Sequence, residues 1–148
     1  MAFKLKQFLK RAFREILLHH HNSLEFRAKL FAAIIAANPD HGECEQAIVL
    51  QAAENIYKEE ERAGTLLATV NEYLQKIEED NGLAIDELIE DILKDYKEFP
   101  RYADKITIDD YHKINLCCQD PDSKAYQERI ITFYQRTKDE YENRRKNK

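Results

Sequence analysis

The side chains best suited to chemistry in this sequence are carboxylates gathered at two proline joints. Asp40, Glu43 and Glu45 follow Asn38-Pro39, and Asp120 and Asp122 flank Pro121. Hard cations such as Ca²⁺ and Mg²⁺ take clustered carboxylate oxygens as ligands. If the two joints meet about a pseudo-two-fold axis, the five acids converge on one Ca²⁺ or Mg²⁺ ion. The simpler alternative is that acids at helix starts cap orphan amides and favour the helix dipole. His41-x-x-Cys44, with His112 and Cys117, offers the ligand types of zinc. No Cys-x-x-Cys pair accompanies them, and small cysteines commonly serve packing. His19, His20 and His21 are consecutive, so on a helix they splay over different faces.

No G-x-S-x-G, H-E-x-x-H, Walker A or dinucleotide fingerprint occurs, and the chain is expected not to be an enzyme. Its three cysteines, Cys44, Cys117 and Cys118, are an odd set with a vicinal pair. That is a poor disulfide framework, and thiols of a reducing cytoplasm are the expectation. The longest apolar run, Leu30 to Ala37, is far too short to span a bilayer. No apolar stretch with a small-residue cleavage site follows the basic N-terminus, so no secretory signal is read there.

The elements that must position these residues are helices. Across 148 residues there are only three Gly and three Pro, too few turn-formers for a sandwich or a wound sheet. The expected fold is all-α, a single-domain bundle of about seven helices, with a hydrophobic fraction of 43% to fill its core. The first helix, from Phe3 to about His20, is basic and amphipathic. The second runs from Asn22 or Ser23 through Ile35, is apolar nearly all round, and is expected to be buried and central. Pro39 stops it. A third starts near Gly42, and Lys58 to Arg62 forms a solvated joint. A fourth ends in an Asn81-Gly82 cap. A fifth carries Ile85, Leu88, Ile92 and Tyr96. About ten residues from Phe99 form a connection to a sixth helix, capped by Thr107 with Asp110. Pro121 breaks it, and a last helix frays from Asn143.

The two joints also look like copies of one another. Residues 38–49 align without gaps on residues 120–131. Each copy follows an apolar helix and places a polar residue, Pro and Asp at the joint. The stretch Phe31-Ala-Ala-Ile-Ile-Ala-Ala-Asn-Pro-Asp-His-Gly-Glu-Cys-Glu45 resembles the TerB-like family, the acidic helical domain of tellurite-resistance clusters. Leu116-Cys-Cys-Gln-Asp-Pro-Asp122 is similar to its later half-repeat. The chain differs in carrying Pro where that family usually has an Asp-Gly pair, and its second copy lacks the following glutamates. The resemblance covers roughly residues 23–141 and implies a non-enzymatic stress-response module, linked to a divalent cation at its acidic joints. The domain reading is a basic amphipathic helix over 1–21, a TerB-like domain over 22–142, and a basic disordered tail over 143–148.

Charge placement suggests how such a module would attach. The net charge is −5, which argues against nucleic acid as a partner. From Met1 to Arg14 there are five bases and no acid, whereas Glu43 to Glu98 holds sixteen acids and five bases. Phe3, Phe8 and Phe13, with Lys4, Lys6, Lys10, Arg11 and Arg14, would bind an anionic membrane surface or a protein partner. The expected location is therefore cytoplasmic, peripheral to the inner membrane. A protein-binding adaptor or homodimer, with neither metal nor membrane contact, is the alternative.

Overall fold

The computed structural model of the chain describes residues 22–79 and 84–147. The membrane- or partner-binding set from Phe3 to Arg14, the histidine triplet and the Asn81-Gly82 cap lie outside these residues. Among them the chain is all-α, with α1 Asn22–Ala36, α2 Glu43–Ile56, α3 Glu60–Glu79, α4 Ala84–Glu98, α5 Ile108–Cys117 and α6 Pro121–Lys146. A 3₁₀ helix, Pro100–Lys105, joins α4 to α5. No described helix is long and apolar enough to cross a membrane.

α1 is the axis of the bundle. Phe26, Ala28 and every residue from Leu30 to Ile35 are buried, because α3, α4, α5, α6 and the 3₁₀ helix all pack against it. The surrounding helices each give one stripe. Ala63, Leu66, Val70, Leu74 and Ile77 on α3, and Ile85, Leu88, Ile92 and Tyr96 on α4, recur at three- and four-residue steps. That period places them on one helical face, which closes against α1. α2 lies across α3 and α5. Gln46 and Asn71 bind α2 to α3 through two amide hydrogen bonds of 2.6 and 3.0 Å. Lys29 ties α1 to α4 through a 2.7 Å ion pair with Asp95.

Aromatic rings fill the centre. Tyr111 stands edge-on to both Phe31 and Tyr134, with ring centroids 5.4 and 5.1 Å apart. Such tilted pairs satisfy the ring quadrupoles better than face-to-face stacking. The Tyr134 hydroxyl donates to the Leu30 carbonyl at 2.8 Å. The amide of Gln127, seven residues earlier on α6, donates to the Ile34 carbonyl at 2.9 Å. Rising numbers on α6 thus meet falling numbers on α1, so the two helices run antiparallel. Burial pushes the Tyr111 phenol up to about 12. It also raises Tyr134 well above the ordinary tyrosine value.

Three expectations need correcting. The connection after Phe99 has the expected length, but it is wound into an element that was not read from the sequence. Pro100 starts a 3₁₀ helix whose Tyr102 and Ala103 are buried, with the Tyr102 ring 5.3 Å from Phe26 and 5.1 Å from Phe99. Apolar residues at 99, 102, 103 and 106 close to a three-residue step suit that tighter winding. Secondly, α6 does not fray at Asn143 but continues to Lys146. Arg144 pairs with Glu140 at 2.8 Å and Arg145 approaches Asp104 at 3.8 Å. Bases in a last turn also favour the helix dipole. Thirdly, Thr107 is the N-cap of α5 but its hydroxyl does not cap it, so no capping box with Asp110 forms. The Thr107 N–H instead donates to the Tyr111 hydroxyl at 3.2 Å.

Candidate functional site: the corner where the two proline joints meet

The two joints do come together, and sulfur joins them. Cys44, in the first turn of α2, is disulfide-bonded to Cys117, the last residue of α5, with a Cα–Cα distance of 6.0 Å. This overturns the expectation of free thiols at these two positions. The odd count and the vicinal pair concern neighbours in sequence, whereas bridging depends on Cα separation in space. The third cysteine, Cys118, is free and buried, its thiol 3.5 Å from the Asp120 carbonyl oxygen.

The first joint is a closed polar turn. Asn38 is buried, its side-chain oxygen accepting the Asp40 N–H at 3.1 Å and its carbonyl accepting the His41 N–H at 3.2 Å. Asparagine in this position mimics a backbone turn. The Glu45 side chain folds inward to 3% exposure. Its carboxylate accepts the Gly42 N–H at 3.2 Å and the Asn38 amide at 3.5 Å. This carboxylate therefore satisfies one of the orphan amides at the start of α2. His41 leans away to Glu78 on α3, Nε2 to Oε1 being 3.5 Å.

At the second joint, the Asp120 carboxylate accepts the Ser123 N–H at 2.9 Å and caps α6, with Pro121 as the first helical residue. Hydrogen bonds from Ser123 hold the Asp120 carboxyl below the ordinary aspartate value. Lys124 donates to the Asn115 carbonyl at 2.9 Å, and Asn115 donates to Gln127 and to the Lys124 carbonyl, both at 3.1 Å. The end of α5 is thereby fixed against the start of α6.

The five acids of the expected Ca²⁺ or Mg²⁺ site are not brought together. Asp40, Glu43, Asp120 and Asp122 are exposed, and Glu45 is turned into its own joint. Among the described residues, a single group of potential ligand atoms lies within 4.8 Å of one another: Cys44, Glu45 and Cys117. The physical reason is local competition. Each joint carries backbone amides without helical partners, and Glu45 and Asp120 reach them within three residues. The zinc set is also split, because Cys44 and Cys117 meet while His41 faces Glu78 and His112 is exposed.

The cap makes a testable statement about acid stability. A carboxyl held below its ordinary value contributes stability that is complete above the ordinary carboxylate range. That contribution is lost as the pH falls through the depressed value. In a carboxyl-carbon NMR titration, Asp120 is expected to protonate at lower pH than aspartate in an unfolded peptide. Asp120→Asn keeps a good cap and removes that acid-linked loss at the α6 N-terminus. Titration of Asp120 at the unfolded value would show that the cap is not formed.

No family model, curated protein or solved structure matches the chain.

Proposed function

We propose that the chain is a non-enzymatic helical interaction module, presenting the acid-rich outer side of α2, α3 and α4 to a protein with a basic segment. The observation that carries this is the like-charge packing of exposed acids on α4. Asp86, Glu87, Glu90 and Asp91 are all exposed, and at i, i+3 and i+4 spacing they are neighbours on one surface. The apolar face of that helix is already used against α1. Like charges so placed destabilise the helix, and a basic partner relieves the repulsion. The side chains with catalytic potential hold the fold instead: Glu45 closes a joint, Asp120 caps α6 and His41 faces Glu78.

The TerB-like resemblance supplies the setting of this proposal, a stress response such as tellurite resistance. Residues 1–21, with their five bases, are proposed as the attachment to a partner or to the anionic cytoplasmic side of the inner membrane. In the adaptor or homodimer alternative, the basic end of one copy would meet the acidic face of another.

A peptide of residues 1–14 is a suitable basic probe, having no acid. Fluorescence anisotropy against the chain lacking residues 1–21 should show saturable binding that weakens steeply with salt. Charge reversal of Glu87, Glu90 and Asp91 to lysine should abolish it. No saturable binding, or binding indifferent to the reversal, would overturn the proposal. Light scattering of the full chain and co-sedimentation with anionic vesicles separate the homodimer from membrane attachment.

A further inference from the structure

We propose that reduction of the Cys44–Cys117 disulfide converts this corner into a zinc site, with the two thiolates and the Glu45 carboxylate as protein ligands and water in the fourth position. The ligand atoms are already assembled. Both sulfurs and a Glu45 carboxylate oxygen lie within 4.8 Å of one another, and no other described group of His, Cys, Asp and Glu does so. Tetrahedral zinc with Zn–S bonds near 2.3 Å places two sulfurs about 3.8 Å apart. With the Cα atoms 6.0 Å apart, side-chain rotation suffices to bring the two sulfurs to that separation.

The surroundings favour this use. Cys44 and Cys117 sit on helix ends fixed by buried residues, Val49, Ala52 and Ala53 on one side and Ile114 and Asn115 on the other. The two sulfurs therefore stay near each other when their bond is broken. Cys44 also stands in the first turn of α2, where the helix dipole favours a thiolate. Glu45 is oriented by the Asn38 amide and the Gly42 N–H, the kind of outer contact that fixes a metal-binding carboxylate. Thiolates select zinc over Ca²⁺ and Mg²⁺. Cys44 is exposed, so one side of the site is open to a reductant, an entering ion and a bound water.

The chemistry balances with a dithiol as reductant. Its thiolate attacks the exposed Cys44 sulfur, the S–S bond breaks, and Cys117 leaves as a thiolate. The second thiol of the reductant then displaces Cys44 and closes the reductant's own disulfide. Two electrons and two protons have passed to the protein. Zinc binding then releases two thiol protons to solvent.

The full chain, reduced with dithiothreitol and desalted without oxygen, is titrated with Co²⁺ and then Zn²⁺. Thiolate-to-cobalt charge-transfer absorption should grow to one equivalent per chain and vanish on adding zinc. The oxidised chain should give none. Cys44→Ser should abolish the band and Cys118→Ser should leave it unchanged. Glu45→Gln should keep the band and weaken zinc binding about tenfold. Should Cys44→Ser not fold, alkylation of the reduced wild type followed by mass spectrometry decides the question. Zinc is expected to protect Cys44 and Cys117, and alkylation indifferent to zinc overturns the site. Absence of the cobalt band from the reduced wild type, or its loss in Cys118→Ser, also overturns it.

Discussion

Reducing the Cys44–Cys117 bridge is expected to lower the free energy of unfolding by about 4 kcal/mol. The bridge spans a sequence separation of 73 residues. On the chain-entropy account, cross-linking so long a loop removes many conformations from the unfolded chain. The folded side is expected to change little, since the burial of Val49, Ala52, Ala53 and Ile114 holds the two helix ends without calling on the sulfurs. The loss should therefore appear as a shift of the urea midpoint by roughly 2 M, with little change in folded-state spectra. The paired variant Cys44→Ala/Cys117→Ala should match the reduced chain, and adding reductant to that variant should change nothing. A difference below about 1 kcal/mol between oxidised and reduced chains would show that the bridge does not act by constraining the unfolded chain, and two free thiols more than Cys118 in the oxidised protein would show that it is not formed. Because zinc would tie together the same two residues, adding it to the reduced wild type should recover part of the loss, and adding it to the paired variant should not.

How far these features were legible in the residues follows from the range of each interaction. Helix positions are written locally. Ile85, Leu88, Ile92 and Tyr96 mark one face by spacing alone, and Pro39 and Pro121 mark the breaks. The burial of α1 on all sides likewise follows from its nearly continuous apolar second half. The 3₁₀ helix was hidden because a three-residue apolar step over so short a stretch resembles a loop. The site was harder. Its acids were visible, but whether a carboxylate faces an ion or its own helix amides depends on local geometry. Glu45 and Asp120 each find an amide within three residues. The sulfur bridge was concealed for the opposite reason, its partners being far apart in sequence. One clue did exist. If the two joints meet, Cys44 comes near the vicinal pair Cys117 and Cys118, but which of the pair bridges depends on how α5 ends.

Gln127→Leu is expected to cost about 2–4 kcal/mol, although leucine is close to glutamine in volume and far more apolar. Gln127 is fully buried, and its amide serves two groups. Its nitrogen donates to the Ile34 carbonyl, which belongs to the last turn of α1 and so lacks a helical partner. Its oxygen accepts from Asn115, whose other acceptor is the Lys124 carbonyl. Leucine would leave a carbonyl and half of an amide buried and unsatisfied, each costing on the order of 1–3 kcal/mol. Tyr134→Phe provides the internal comparison. The Leu30 carbonyl it would abandon lies inside α1, where the helix already supplies a donor. Its cost should stay near 1 kcal/mol. Gln127→Glu sharpens the test through pH. A carboxylate there keeps the acceptor for Asn115 but turns negative charge toward the Ile34 carbonyl, so burial and repulsion raise its pKa in the folded state. Its penalty should be full at neutral pH and shrink as the pH falls into the carboxylate range, where the protonated acid can donate to Ile34. Denaturant melts at pH 7 and near pH 4 read both effects. Equal losses for Gln127→Leu and Tyr134→Phe, or no pH dependence in Gln127→Glu, would show that Gln127 is not the cap of α1.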